Sequence, residues 1–556
     1  MTAAPSESRL EPAGGTPDRS ADAPAIRAAP PASFDSGSAG LIEVLKCRSA
    51  DVQECPSETA AYVGRGFSRA VVAACVFAAG CVHPPKYEPP KTITPAAYKE
   101  QGADLLQPAQ PSDHAARPAW WETFNDPKLN ELETRLMASN PTLAQAVARY
   151  TQAAALIREN RSQFYPQVGV SGGVLAGRPS SAQGGTTDVK IATDYTLRGD
   201  LAWEADLWGR IRQTVSVAVA NAQATAGDRE ALKLSLAAQL ATTYFALRTF
   251  DAEIVLLNET TQAYEKSYQL TQNQYNAGLV ARADVAQAQT LLEGARAQSI
   301  DVSLQRAQAE HAIAVLIGEM PAALAIDTMP INGEPPRLPP EMPSRLLERR
   351  PDIAAAERRV AAANSQIGVA TSAFFPTLGI SASVGLQTTT LQKLLSWPAG
   401  FWSVGPTLAY QLFDGGARRA VKAGAVAAYD VTIGAYRETV LTAFQDVEDN
   451  LAAQRLLAEE FDHQQLAVTA AQQALDISLN QYRAGLISYL QVAIEQAQLL
   501  NNQRSALSIT GRRFGAAVGL IRALGGGWDG RLDDGSARPP APAAPTAPAP
   551  AAPPAQ

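Results

Sequence analysis

The chain is poor in the residues that build metal and catalytic sites. Its 556 residues include only four cysteines and four histidines. No cysteine follows Cys81, which excludes a disulfide framework or a thiolate metal site from the body of the chain. The histidines lack ligand spacing, and neither a nucleophile elbow nor a phosphate loop appears. We predict that the protein is not an enzyme and binds no metal, and the net charge of −7 gives no indication of a nucleic-acid partner.

Proline is absent from residues 211–319, which leaves room for very long helices. Over Leu236–Tyr275, mostly large apolar side chains recur in alternating steps of four and three. This spacing is typical of a helix that supercoils against its neighbours. We predict one helix from just after Gly209 to about Asn276, roughly 100 Å long at 1.5 Å per residue. A second helix is expected to return over about 283–318.

The two helices are joined by a short segment in which glycine permits a tight reversal. That segment is Ala277, Gly278 and Leu279, and a similar one, Ala484, Gly485 and Leu486, follows 207 residues later. Other pairs recur at nearly this offset: Phe164-Tyr165-Pro166 with Phe374-Phe375-Pro376, Leu201-Ala202-Trp203 with Leu408-Ala409-Tyr410, and Gly209 with Gly416. These pairs predict an internal duplication, in which each half reads helix, strand, strand, long helix, turn, helix. Chance matching in an alanine-rich helical chain is the alternative.

Four segments alternate apolar and polar side chains with period two, which predicts strands. They span about 167–176, 194–208, 377–387 and 401–413, and Pro406 within the fourth cannot donate a ladder hydrogen bond. Either a soluble sandwich or a membrane barrel would give this alternation. Four strands cannot close a barrel alone, and an open edge in lipid leaves backbone groups unpaired. In the barrel interpretation each chain therefore contributes one four-strand sector of the barrel wall. Asp200, Glu204 and Asp206 would then line a water-filled lumen.

The N-terminal region has the composition of an export signal preceded by an extension. Residues 1–62 lack apolar periodicity and are predicted to be disordered or untranslated. Residues 63–80 combine arginines, a short apolar run and small residues, as in a lipoprotein signal peptide. Cleavage before Cys81 would place a diacylglycerol and a fatty acid on that cysteine, whereas a buried free cysteine is the alternative. A proline-rich tether at 81–118 follows, and an Ala/Pro-rich tail occupies 529–556.

Several motifs occur together in one order along the chain. They are Trp120-Trp121 with Asp126-Pro127, Trp203-Glu204-Ala205-Asp206-Leu207-Trp208-Gly209-Arg210, Pro343-Ser344-Arg345-Leu346-Leu347-Glu348-Arg349-Arg350-Pro351-Asp352-Ile353 with Ala356-Glu357, Phe413-Asp414-Gly415-Gly416 and Leu524-Gly525-Gly526-Gly527-Trp528. In this order and spacing the chain resembles the TolC-like outer-membrane efflux family. The resemblance is to the lipoprotein branch that serves resistance-nodulation-division (RND) pumps, and it covers about residues 81–528.

The resemblance implies a mixed α/β membrane protein with two efflux repeats, at 119–325 and 326–528. Each chain is expected to supply a four-strand sector of a trimeric 12-strand β-barrel in the bacterial outer membrane. The same homotrimer would continue as a long 12-helix α-barrel through the periplasm. The implied partners are a periplasmic adaptor protein, which meets the two hairpin tips, an inner-membrane RND pump and outer-membrane lipid. The implied function is a passive exit duct for drugs or other small molecules.

The resemblance also implies a periplasmic gate near the two tips. Asp284, after the first tip, keeps an acidic residue of the family. After the second tip the family commonly has an aspartate where this chain has Ile494, with Glu495 beside it and Leu490 one turn earlier. Three carboxylates around an axis repel one another and attract cations, whereas a ring of isoleucines would close by apolar contact.

Two other functions are compatible with these features. A type I protein-secretion duct would have the same pore, although the signal at Cys81 favours small-molecule efflux. A lipoprotein scaffold with a coiled-coil stalk would need no channel at all. Monomeric behaviour without detergent would support the scaffold, and conductance of trimers in planar bilayers would support a duct.

Overall fold

The structure is a computed structural model that describes residues 87–90, 98–100, 119–178, 191–331, 333–336, 349–528 and 530–532. All of these belong to one unit, Val72–Gln556. Cys81, the signal segment at 63–80, motif residues 343–348 and most of the tail lie outside the described residues. No helix among the described residues is long and apolar enough to span a membrane.

Seven α-helices make up most of the described chain. They are α1 (Pro127–Ser139), α2 (Pro141–Ser162), α3 (Arg210–Asn276), α4 (Arg282–Leu316), α5 (Pro351–Ser372), α6 (Ala417–Arg483) and α7 (Tyr489–Ala523). The prediction of one unbroken helix after Gly209 is confirmed, because α3 begins at the next residue. Helices α3 and α6 both contain 67 residues, and α4 and α7 both contain 35. These equal lengths support the predicted duplication.

Four antiparallel strands form one sheet in the order β1-β2-β3-β4. They are β1 (Gln167–Gly177), β2 (Ala192–Ala205), β3 (Thr377–Thr388) and β4 (Gly400–Ala409). In one row of the register, Leu201 of β2 lies between Val168 of β1 and Ala382 of β3, which in turn pairs with Val404 of β4. The apolar side chains of all four strands therefore share one face. Pro406 lies in β4, an edge strand of this sheet, where a missing backbone donor is tolerated.

Two strands end earlier than the sequence predicted. The second was expected to run to residue 208 but ends at Ala205, because the Asp206 carboxylate turns to accept hydrogen bonds from the first backbone N–H groups of α3, at 3.0 Å. The fourth was expected to run to residue 413 but ends at Ala409, and Asp414 likewise accepts from the N–H of Gly416 at 2.9 Å. Asp206 therefore lies beyond the strand and caps a helix, while its place in a lumen stays a prediction.

The largest apolar cluster packs α1 and the 3-10 helix Trp120–Phe124 against the middle of α3 and the ends of α4 and α7. Its buried members include Trp120, Trp121, Leu129, Leu132, Leu136, Leu240, Tyr244, Phe245, Leu247, Ile313, Phe514 and Ile521. Asp126 caps α1 by accepting from the N–H of Lys128 at 2.9 Å, and Pro127 occupies the first helical turn. The tryptophan and Asp-Pro motif therefore orients α1 against the long helices.

The N-terminal tether contacts the second repeat at two places. Tyr87 donates a hydrogen bond to the Glu357 carboxylate of α5 at 2.7 Å. Tyr98 is buried in a cluster with α5, α6 and α7, and the Glu448 carboxylate of α6 accepts the backbone N–H groups of residues 99 and 100 at 2.8 and 3.0 Å. The described parts of the tether are thus attached to the helices.

Candidate functional site: hairpin tips and sheet

The two hairpins reverse direction with the same backbone geometry. In the first tip the N–H groups of Ala277, Gly278 and Leu279 donate to the carbonyls of residues 273, 275 and 274 at 3.1, 2.9 and 2.9 Å. In the second tip Ala484, Gly485 and Leu486 form the corresponding bonds at the same three distances. Both glycines have φ of 72°, a left-handed conformation that is unfavourable for residues with a Cβ. Glycine therefore adopts the turn at both tips without the strain that a residue with a Cβ would have.

Each tip presents one large apolar side chain to the surroundings. Leu279 and Leu486 are both 74% exposed, and nothing lies within 4 Å of the Cβ position of either glycine. A bare glycine backbone beside an exposed leucine is a surface that another protein can approach closely. The structure thus has two matching exposed turns on each chain.

The four predicted gate residues occupy the first turns after the tips. Asp284 caps the start of α4, where its carboxylate accepts from the N–H of Ala281 at 3.2 Å. Leu490 and Ile494 are about half exposed and lie one turn apart on a single face of α7. Glu495, on the neighbouring face, accepts from the side chain of Gln491 at 2.7 Å. The structure thus places Leu490 with Ile494 in one apolar stripe and assigns Asp284 a capping contact.

A buried polar cluster joins the two hairpins just above the tips. The Tyr264 hydroxyl of α3 donates to the backbone carbonyl of Gln496 in α7 at 3.0 Å. The Gln496 amide donates to Ser267 of α3 at 3.0 Å, and its oxygen accepts from the Tyr489 hydroxyl at 3.1 Å. Tyr482 of α6 packs edge-on against Tyr489, with ring centroids 5.5 Å apart. Side chains from three helices therefore hold the hairpins together.

The hydroxyl groups of this cluster remain neutral. Burial raises the pKa of Tyr264 to about 12. Burial, followed by the charge interactions of Tyr264 and Tyr482, also raises the pKa of Tyr489. Because the tyrosines keep their protons across the physiological pH range, they can act as hydrogen-bond donors throughout it.

Half of the predicted ladder of α3 is buried, and all its other members except the exposed Tyr275 are partly covered, in agreement with a helix–helix seam. Its buried members are Leu236, Leu240, Leu247, Leu257, Tyr264 and Thr271. Sequence reasoning missed Gln496, which interrupts the apolar face of α7 one turn after Val492. The available signal in the sequence was a glutamine on an otherwise apolar helix face. Such a residue is expected to be buried and to need hydrogen-bond partners from another helix.

The sheet has one apolar and one polar face. On the polar face, Arg198 forms an ion pair with Asp200 at 2.9 Å, and Ser383 bonds Ser403 at 2.8 Å. At the helix end of the same face, Glu204 forms a two-bond ion pair with Arg210, at 2.9 and 2.8 Å. Large apolar side chains on the opposite face are extensively exposed, among them Val168, Val170, Val174, Val384, Trp402, Val404 and Leu408. An apolar face this extensive, left uncovered by the chain itself, suits contact with lipid.

Aromatic residues delimit the apolar face on two strands. Tyr195 and Trp203 lie eight residues apart on β2, and Trp402 and Tyr410 are separated by the same number on and just beyond β4. Eight residues extend about 27 Å along a strand. At a tilt of about 40° this corresponds to a depth of about 20 Å, close to the roughly 25 Å apolar band of outer-membrane strands.

Trp203 and Trp208, from the motif at residues 203–210, connect the sheet to the helices of both repeats. Trp203 donates to the carbonyl of Phe164 at 2.9 Å, and Trp208 donates to that of Pro376 at 2.6 Å. Trp208 also stacks on Phe375, with ring centroids 4.9 Å apart. These contacts fix the corners at which the chain passes from helix to strand.

Known proteins show the same combination of helical hairpins and sheet. The family model described as outer membrane efflux protein matches residues 133–319 and 342–526. The chain belongs to this outer membrane efflux protein family. This efflux protein is 30% identical over 452 residues to the probable efflux pump outer membrane protein TtgC of Pseudomonas putida, a match that covers 81% of this chain and 93% of TtgC.

Two further similarities agree with that assignment. The efflux protein is 31% identical over 456 residues to outer membrane protein OprJ of Pseudomonas aeruginosa, covering 81% of this chain and 93% of OprJ. The structure matches that of the outer-membrane channel OprN with a TM-score of 0.74 and 30% identity, covering 81% of this chain and all of that one. The efflux protein is therefore an outer-membrane protein with the fold of these channels, as the sequence predicted.

Proposed function

We propose that three copies of this efflux protein form one passive exit duct for drugs or other small molecules. An inner-membrane RND pump would drive export, and a periplasmic adaptor would couple the pump to the duct. The relatives' names support an efflux role, since TtgC is a probable efflux pump outer membrane protein. The trimer, the adaptor and the pump belong to the proposal.

The observation that carries the proposal is the open sheet. Strands β1 and β4 form its two edges, and the chain supplies no partner strand for either among the described residues. Backbone groups left unpaired in lipid cost several kcal/mol each, so the edges of different copies are expected to pair. Three four-strand sectors would close a 12-strand barrel with the apolar face in lipid and the polar face around water. Three pairs of hairpins would form a 12-helix tube below it.

The tips and the first turns beyond them would form the working end of the duct. Residues Ala277, Gly278 and Leu279 and residues Ala484, Gly485 and Leu486 would contact the adaptor. The stripe of Leu490 and Ile494 would close the tube by apolar contact among three copies, while Asp284 and Glu495 would place carboxylates nearby. Exposed apolar side chains on α7 and the matching tip geometry support this assignment.

Lipid on Cys81 is a further part of the proposal. It rests on the signal-like residues 63–80, and the attached tether supports it, because Tyr98 anchors the chain 17 residues later on the helices. Acylation would then add a membrane anchor to a protein already held by its sheet.

Cross-linking between sheet edges tests the trimer. Cysteines at Ser171 of β1 and Ser403 of β4 lie on opposite edge strands, so a short bifunctional thiol reagent should join different copies. We expect a ladder that stops at three chains in outer-membrane fractions, and ion conductance of the purified species in planar bilayers. Each variant that carries only one of the two introduced cysteines serves as a control and should give no trimer band. A water-soluble monomer without conductance would contradict the proposal.

A further inference from the structure

The loop between β3 and β4, residues 389–399, carries exposed apolar side chains beyond the end of the sheet. It contains two short 3-10 helices, Leu391–Lys393 and Trp397–Ala399. Leu395 is 85% exposed and Trp397 is 93% exposed, and Leu391 is also exposed. Single exposed apolar residues are common, but a cluster of three on one short loop indicates a contact surface.

The position of the loop relative to the sheet identifies which surroundings it meets. The helices join the strands at Gln167, Ala205, Thr377 and Ala409, whereas this loop joins Thr388 to Gly400 at the opposite end. The hairpin tips and the loop therefore lie on opposite sides of the sheet. With the helices in the periplasm, the loop lies at the outer surface of the membrane.

The aromatic residue Trp402 sets the depth of the loop. It lies on the apolar face of β4 and marks the outer limit of the band that Tyr410 closes at the helix end. Trp397 precedes it by only five residues, which places the loop at the boundary between lipid chains and headgroups. Tryptophan is favoured at that boundary, because its ring is apolar and its N–H group remains near water.

We propose that the β3–β4 loop lies on the outer leaflet of the membrane, with Leu395 and Trp397 among the lipid chains. Lys393, exposed in the same loop, would reach the lipid phosphates with its ammonium group. The inference rests on the proposed barrel and adds a specific lipid contact to it. The loop would act as an outer anchor at the end of the sheet remote from Cys81.

The alternative is that the loops of three copies meet over the mouth of the barrel. The lysine argues against that arrangement, since three Lys393 ammonium groups brought together on one axis would repel one another. Continuity with the apolar face at Trp402 favours lipid as well. A lipid surface is therefore the occupant that fits both the apolar and the cationic side chains.

Spin-label accessibility tests this placement. Leu395→Cys is labelled with a nitroxide in proteoliposomes of outer-membrane lipid, and its collision rates with oxygen and with a water-soluble nickel chelate are compared. Val384→Cys on the apolar face and Thr407→Cys on the polar face are the reference positions, and Trp397→Cys is a second loop site. Unsubstituted protein labelled in parallel gives the background from Cys81 and the cysteines before it.

We expect oxygen collisions to exceed nickel collisions at residues 395 and 397, as at residue 384, and the reverse at residue 407. Preferred access of nickel to the loop sites, with residue 384 still in lipid, would overturn the inference alone. Exclusion of both reagents from the loop sites would also overturn it, by showing contact between copies. Preferred collision of the label at residue 384 with the water-soluble nickel chelate would instead refute the proposed barrel.

Discussion

The side chain of Glu133 is fully buried in α1, where Leu129, Leu132 and Leu136 are fully buried beside it. Neither of its carboxylate oxygens has a hydrogen-bond partner among the described residues. Burial without a compensating charge raises the pKa of Glu133 from 4.5 to about 9. The folded protein therefore keeps this carboxyl group protonated at neutral pH, whereas the unfolded chain releases the proton.

This difference makes stability depend on pH with a definite sign. Below about pH 4.5 both states are protonated, and Glu133 imposes no ionisation penalty. Between pH 4.5 and about 9 only the unfolded state ionises. The free energy of unfolding therefore falls by about 1.4 kcal/mol per pH unit. At pH 7.5 the accumulated loss is about 4 kcal/mol, and relaxation around the site would reduce it. Above about pH 9 the folded state ionises as well, and the loss stops growing.

Glu133→Gln removes the ionisation while keeping the shape of the side chain. We expect the variant to be more stable than the parent by about 2–4 kcal/mol at pH 7.5, and the two to converge near pH 4.5. The measurement is urea unfolding of the detergent-solubilised protein from pH 4.5 to 9, followed by circular dichroism. Glu131→Gln is the matched control, since Glu131 is half-exposed and its hydrogen bond to Lys128 lowers its pKa. Parallel stability curves for Glu133→Gln and the parent would refute the reasoning.

Further predictions concern the tips, the polar cluster and the tether. Valine at both Gly278 and Gly485 would have to adopt φ of 72°, at about 1–2 kcal/mol each or more, and should abolish drug resistance while trimers persist. Gln496→Leu removes the hydrogen bond that Gln496 donates to Ser267 and the one that it accepts from Tyr489, and should lower stability by about 1–3 kcal/mol in the same unfolding assay. Tyr98→Ala should release the tether, seen as faster proteolytic cleavage between residues 87 and 118. Cys81→Ser should eliminate labelling by fatty acid and leave trimers in the membrane.

Controls separate these effects from general misfolding. Gly294→Ala lies inside α4 with open space around its Cβ position, so it should leave both resistance and trimers unchanged. Unchanged resistance after the tip substitutions would count against adaptor docking there. A Gln496 variant as stable as the parent would show that the polar cluster is dispensable, and incorporation of fatty acid without Cys81 would move the acylation site elsewhere.

The long helices and the reversals were predictable from sequence because their signals are local. Gly209 and Gly278 bracket α3, and the absence of proline between them fixes its extent to within a residue or two. The alternation of the strands was equally visible. Their ends were not, because Asp206 and Asp414 could extend a polar strand face or cap a helix, and only the folded corner decides between these roles.

Contacts between distant segments were harder to predict. Gln496 bonds Ser267, 229 residues earlier, and no local pattern links the two. Tyr98 lies in a proline- and alanine-rich stretch without periodicity, although its side chain is buried among three helices. At the second tip, family resemblance located Leu490 and Ile494 in sequence, and the structure added that both share one exposed face of α7.

The unpaired strands β1 and β4 also affect how faulty and normal subunits would combine in a cell. If the edge strands of each copy must pair with two neighbouring copies, one altered chain affects every assembly that it enters. With equal amounts of the two chains, only about one trimer in eight would contain normal chains alone, since each of its three positions receives a normal chain half of the time. Defects in the sheet edges themselves should be recessive, because such chains are left out of assemblies. Defects at the tips should be dominant, because the altered chains still join.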